Sequence, residues 1–148
     1  MDSNLSRDRL AGNKALIRRF YGDVWNQKKL ELLPEILSPR FCWHEPYEAD
    51  DITNLEAAIA FLKVLFTAFP DYTIEIEDLF GEGDRIAVRW LGSGTHLGEL
   101  KGIPPTGRNI SIPGTSIFCI EAGMISEYWT SLDSLLVMAE IGAFDAGR

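Results

Sequence analysis

The sequence predicts an α+β fold in which helices pack on one face of a curved antiparallel sheet. Two observations carry this. Apolar residues recur at helical spacing as far as Phe69, and after Pro70 the pattern changes to alternation, the period of a strand with one buried face. Turn signals then divide the alternating part into strands in hairpin order: Gly81-Glu82-Gly83-Asp84, the stretch Gly98 to Gly107, and Glu121-Ala122-Gly123. Helices first and a meander afterwards is the segregated α+β pattern.

The elements follow in order. Ile17, Phe20, Tyr21, Val24 and Trp25 form one apolar stripe, with Arg18, Arg19 and Asp23 opposite, which predicts an amphipathic helix over about residues 7–26. A short helix is expected over Leu30 to Leu37, interrupted by Pro34, which removes a hydrogen bond wherever it falls inside a helix. The aromatic run Arg40 to Pro46 reads as a first strand closed by a turn. Thr53-Asn54-Leu55-Glu56 fits a capping box, and the stripe from Leu55 through Ile59, Leu62, Leu65 and Phe66 to Phe69 predicts the helix behind it. Strands are expected over 71–80, 84–97, 108–121 and 124–132. A last helix runs from Ser134 to Ile141, with Gly142 as terminator.

A chain of 148 residues with 46% hydrophobic content is read as one domain, residues 1–148, with enough apolar material for a core. Basic residues number 14 against 22 acidic ones, for a net charge of −8, which argues against a nucleic-acid partner. No apolar run approaches the ~20 residues that span a bilayer, and the first ten residues are polar. The expectation is a cytoplasmic protein with no membrane partner. Cys42 and Cys119 are too few for a disulfide framework and read as reduced core residues.

Five stretches carry a family likeness: Asn13 to Trp25 (NKALIRRFYGDVW), Phe69 to Asp78, Ile86 to Trp90 (IAVRW), Gly94 to Gly107 (GTHLGELKGIPPTG) and Gly123 to Leu135. In this order they resemble the SnoaL-like polyketide cyclases, within the nuclear transport factor two-like fold. The resemblance implies a cone-shaped sheet with helices on its concave face, a pocket for a small apolar organic substrate, and a homodimer packed through the sheet. It also implies an intramolecular aldol cyclisation that uses neither metal nor cofactor, with an aspartate as general acid and base. Asp133 resembles that aspartate, Trp129 the family's tryptophan, and His44 and His96 its two histidines. The family's His-Trp pair is Tyr128-Trp129 in this chain.

The residues themselves bear on these roles. Period-two alternation puts Asp133 on one face with Ile125, Glu127, Trp129 and Ser131, the face expected to look into the cone. A carboxyl group facing an apolar pocket is pushed towards the pKa range useful in proton transfer. Asp133 also stands where the last helix needs an N-cap, and both readings stay open. His44 is the second catalytic candidate, with its facing undecided by pattern. His96, beside a glycine-rich loop, is expected at the exposed rim. Trp25, Trp129, Tyr21 and Trp90 offer flat surfaces for a ring-bearing substrate, with ordinary core packing as the alternative. Arg89 and Glu127 fall mid-strand and would form a structural ion pair if their strands were neighbours.

Other chemistries are not supported. Gly102 to Asn109 has Arg108 and Asn109 where a phosphate loop needs lysine and Ser or Thr. No nucleophile elbow occurs, and two histidines without metal-type spacing offer no metal site. Two functions remain: an enzyme working by proton transfer (cyclisation, isomerisation or hydrolysis), or a binding module with the same pocket and no chemistry. Asp133 inside an enclosed cavity would favour the first, and Asp133 capping a helix in solvent the second.

Overall fold

The computed structural model describes residues 2–143. A first helix α1 (Asp2–Arg19) continues into a π-helical segment, Phe20–Asn26, whose Phe20, Tyr21, Val24 and Trp25 are all buried. The widened π turn keeps four large side chains on one side of the chain. A 3-10 turn (Leu30–Leu32) leads to the short α2 (Leu33–Ile36). Pro34 lies in the first turn of α2, where its missing N–H costs nothing, so the proline starts a helix instead of breaking one.

Strand β1 (Leu37–His44) precedes α3 (Leu55–Ala68), and four strands follow: β2 (Thr73–Glu82), β3 (Arg85–Thr95), β4 (Asn109–Glu121) and β5 (Met124–Leu132), then α4 (Ser134–Glu140). The α3 cap is Asn54, whose Oδ1 accepts from the Ala57 N–H at 2.8 Å, one residue later than the Thr53 of the expected capping box.

The five strands lie in the order β1-β5-β4-β3-β2. The expected antiparallel meander holds from β2 to β5, but β1 pairs with β5 in parallel, which makes the sheet mixed. Hairpin order governs only strands joined by short turns; β1 and β5 are separated by α3 and the whole meander, a connection long enough for parallel pairing.

One face of the sheet is closed by the helices. On β4 the even-numbered residues from Ile110 to Ile120 are buried and the odd ones face away. At one end the interior is a solid aromatic cluster in which Phe20 meets Tyr21, Trp25, Trp43, Phe118 and Tyr128 at centroid distances of 5.4–6.3 Å. Gly114 stands opposite Trp90 on the neighbouring strand, and a Cβ there would collide with the Trp90 indole. Glycine at this position lets a large ring lie flat on the sheet.

Arg89 is far from Glu127. It is exposed on β3 and pairs with Glu77 (2.8 Å) and Asp78 (2.6 Å) of β2. Since β4 separates β3 from β5, the ion pair expected from sequence has no path to form.

Candidate functional site

Beyond the aromatic cluster the interior opens into a cavity between the π-helical segment, α3, α4 and the concave sheet. Its wall includes Trp25, Phe61 and Leu65 of the helices and Trp90, Ile112 and Tyr128 of the sheet. About 780 Å³ is free of atoms, the mouth included. The cavity is narrow and apolar, the character of a site for small organic molecules.

A few polar groups interrupt that lining. Glu45, 8% exposed, is the deeply buried carboxylate among them. The Trp43 indole N–H donates to its Oε2 at 3.1 Å. Burial, and secondarily Glu48, raise its pKa from the ordinary 4.5 to about 8, against the opposing pull of the Trp43 hydrogen bond and the Lys101 charge. Glu45 is therefore mostly protonated at neutral pH. It gets there because the chain turns at Pro46 just after β1 and returns, Trp43 and Ile52 exchanging backbone hydrogen bonds of 2.9 Å.

Trp25 Nε1 and the Tyr47 hydroxyl are buried in the same wall without a hydrogen-bond partner. Unsatisfied buried donors are costly and uncommon in native proteins, and here both line a cavity where a ligand oxygen would satisfy them. Deeper in, Trp90 Nε1 donates to Ser116 Oγ (2.9 Å), which lies 3.1 Å from Thr130 Oγ1. The Tyr128 and Tyr21 hydroxyls are 3.4 Å apart, and burial pushes the Tyr128 phenol up to about 12.

The model of the SnoaL-like polyketide cyclase family matches residues 15–141. The chain belongs to the SnoaL-like polyketide cyclase family. Solved relatives agree. A candidate SnoaL-like polyketide cyclase from Jannaschia sp. CCS1 is 27% identical, with 90% of this chain and 93% of that one covered and a TM-score of 0.82. IdmH of Streptomyces antibioticus, described as a candidate polyketide cyclase, is 29% identical over 88% of this chain and 98% of its own, at a TM-score of 0.77. AclR of Streptomyces galilaeus, described as a candidate hydroxylase, is 25% identical over 90% and 83%, at 0.79. No protein with a curated description matches in sequence.

Within this SnoaL-like fold the residues singled out from sequence separate into two groups. Trp25 and Trp90 line the cavity. Tyr21 is completely buried in the aromatic cluster behind it, touching Phe20, Trp25 and Phe118. His96 is not at an exposed rim. It is fully buried against Phe69, with Nδ1 3.0 Å from Thr106 Oγ1, where burial lowers its pKa and where it pins the loop ahead of β4.

Trp129, Asp133 and His44 are not in the cavity wall. Trp129 and His44 stack on each other on the outer face, at 5.3 Å between ring centroids. Asp133 is exposed and caps α4, its Oδ1 accepting from the Leu136 N–H at 3.0 Å. The cause is one extra residue: Ile120 pairs with Ile125 while Cys119 pairs with Glu127, so Ser126 is bulged. Ile125 points inward as expected, but the bulge reverses the parity beyond it, and Tyr128, Thr130 and Leu132 line the cavity instead. Glu45 was missed because it follows the first strand in a segment without periodicity. The available signal was a carboxylate between two aromatics, Trp43 and Tyr47.

Proposed function

We propose that this chain catalyses acid–base chemistry, an intramolecular aldol-type cyclisation or a related isomerisation, on a small, largely apolar polyketide-like substrate held in the cavity. Glu45 carries the proton. The supporting observation is a buried carboxyl group, protonated up to about pH 8, in an otherwise apolar chamber lined by two unpartnered donors.

A consistent sequence of events starts with the substrate carbonyl oxygen accepting hydrogen bonds from Trp25 Nε1 and Tyr47 Oη. A second carbonyl-activated carbon loses its proton and attacks the carbonyl carbon, forming the ring bond. The ionised fraction of Glu45 accepts that proton from carbon and, once protonated, gives it to the alkoxide formed by the attack. Substrate and product are isomers, and Glu45 ends as it began. The pKa of about 8 suits both directions of transfer near neutral pH.

The second reading, a binding module, is favoured by one observation: Asp133, the counterpart of the family's aspartate, spends its carboxylate on a helix cap in solvent. The two separate on Glu45→Gln, assayed with a linear poly-β-ketone substrate. Under catalysis, turnover falls by roughly 10²–10⁴-fold while substrate binding persists. Binding without turnover by the wild-type chain, unchanged in Glu45→Gln, would establish the module instead.

Assembly belongs to the same reading. Phe80, Ala87, Ile117 and Trp129 stand side by side across β2, β3, β4 and β5 on the outer face, with Phe80 62% and Ile117 39% exposed. A second copy of this chain packed sheet to sheet would cover that row.

A further inference from the structure

At the β1 edge of the outer face stands a group of side chains that the cavity does not use. Cys42 and His44, two residues apart on β1, share a face. The backbone bridge from Trp43 to Ile52 brings the end of the returning loop beside them, and with it Asp51. Cys42 Sγ, a His44 ring nitrogen and an Asp51 carboxylate oxygen all lie within 4.8 Å of one another. Asp51 Oδ1 is 2.8 Å from His44 Nδ1, and Oδ2 is 3.7 Å from Cys42 Sγ. On the far side of the ring, Nε2 lies 3.7 Å from Glu127 Oε2, and Trp129 stacks on the imidazole with 16° between planes.

We propose that Cys42, His44 through Nδ1, and Asp51 bind one Zn²⁺ ion, with water as fourth ligand and Glu127 as the positioning residue behind the imidazole.

Ligand chemistry supports this first. A thiolate, an imidazole and a carboxylate suit zinc, whereas magnesium and calcium prefer oxygen alone. Geometry supports it second. A tetrahedral ion with Zn–S of ~2.3 Å and Zn–O of ~2.0 Å holds sulfur and oxygen about 3.5 Å apart, close to the Cys42–Asp51 spacing. The same ion holds nitrogen and oxygen roughly 3.3 Å apart, against 2.8 Å from His44 Nδ1 to the other oxygen, Oδ1, so Asp51, half exposed on its loop, must turn to present one oxygen to both ligands.

The surroundings support it third. A zinc-bound histidine characteristically gives its other N–H to a carboxylate, which fixes the ring and its tautomer. Glu127 Oε2, 3.7 Å from Nε2, stands on the side from which such a bond would form, and the Trp129 indole stacks on the ring. The site would also matter to the cavity, since the metal would tie β1 to the far end of the loop that carries Glu45 and Tyr47 into the wall. Sequence spacing did not reveal it because the third ligand arrives through a backbone bridge and not through a motif.

The test uses the full, reduced chain and does not involve turnover, so it stands or fails separately from the cyclase reading. Co²⁺ titration should saturate at one ion per chain and produce a thiolate-to-cobalt charge-transfer band in the near ultraviolet, which Zn²⁺ then abolishes by displacement. Zn²⁺ alone should raise Tm. Cys42→Ser should lose the band, with far-ultraviolet circular dichroism checking that the variant is folded, and Cys119→Ser should keep it. Asp51→Asn, at an exposed position, should weaken Zn²⁺ binding at least tenfold, and Glu127→Gln by about tenfold. The proposal is overturned by a wild-type chain with neither band nor Zn²⁺-dependent Tm, by a band that survives Cys42→Ser, or by Zn²⁺ affinity indifferent to Asp51→Asn.

Discussion

At the scale of the residue, Glu45 dominates because its protonation ties stability to pH. Its carboxyl is neutral in both folded and unfolded chains below pH 4.5. As pH rises from there, the unfolded chain ionises and the folded chain does not, so stability drains away until about pH 8 and then levels off. A shift from 4.5 to about 8 corresponds to an upper bound of roughly 4–5 kcal/mol. Glu45→Gln removes the titrating group, so its stability relative to wild type should be greater at pH 8 than at pH 4.5, as read from denaturant midpoints; a difference independent of pH would contradict the raised pKa. Trp25 offers a second test at this scale. Trp25→Phe keeps an aromatic wall and deletes a buried donor that has no partner. The lost packing and the relieved polar group should nearly cancel, leaving stability within about 1 kcal/mol, while substrate KM rises about tenfold for one lost hydrogen bond. Equal KM values in the two proteins would remove Trp25 Nε1 from substrate recognition.

At the scale of the element, the junction of β5 and α4 shows how far pattern reading reaches. The strand and helix are legible in the residues: alternation to Leu132, then a capping aspartate. The direction in which β5 presents its side chains is not, because the Ser126 bulge forms only when β5 pairs against β4. Asp133 consequently caps α4 from outside the cavity wall. Asp133→Ala should cost about 1 kcal/mol and Asp133→Asn close to none, with turnover unchanged in both. Turnover that collapses in the Asn variant would return catalysis to Asp133. The Pro34 turn makes the same point in reverse: its local chemistry was readable as a break, yet a start at Leu33 in place of Leu30, three residues later, puts the proline in the first turn.

At the scale of the whole molecule, the helices cover one face of the sheet and leave the row Phe80, Ala87, Ile117 and Trp129 on the other. A homodimer through this face should sediment as twice the chain mass at micromolar concentration. Ile117→Arg, placing a charge in the middle of the row, should shift it to monomer without lowering the stability of the separated chain by more than about 1 kcal/mol, since Ile117 is already partly exposed. A wild-type monomer at that concentration would leave the row uncovered. Among the described residues no helix is long and apolar enough to cross a membrane.

Near neighbours in the chain account for the switch from helical to alternating period at Pro70, the turns between β2 and β5, the bounds of α3 and α4 to within a residue or so, and the family, whose words lie along the chain; α1 begins five residues before its expected start. The sequence also marked Trp25, Trp90 and Trp129 as large flat surfaces, of which Trp25 and Trp90 line the cavity and Trp129 does not. Tertiary structure alone decided which groups share a space. Parallel pairing of β1 with β5, the bulge at Ser126 and the return of the loop to Ile52 each depend on contacts between residues distant in the chain, and no local propensity encodes them. Those three events turn Trp129 and His44 outward, bring Asp51 to Cys42, and bury Glu45. A carboxylate's pKa follows from the solvent it has lost, so the group best suited to move a proton became visible only once the chain had closed around it.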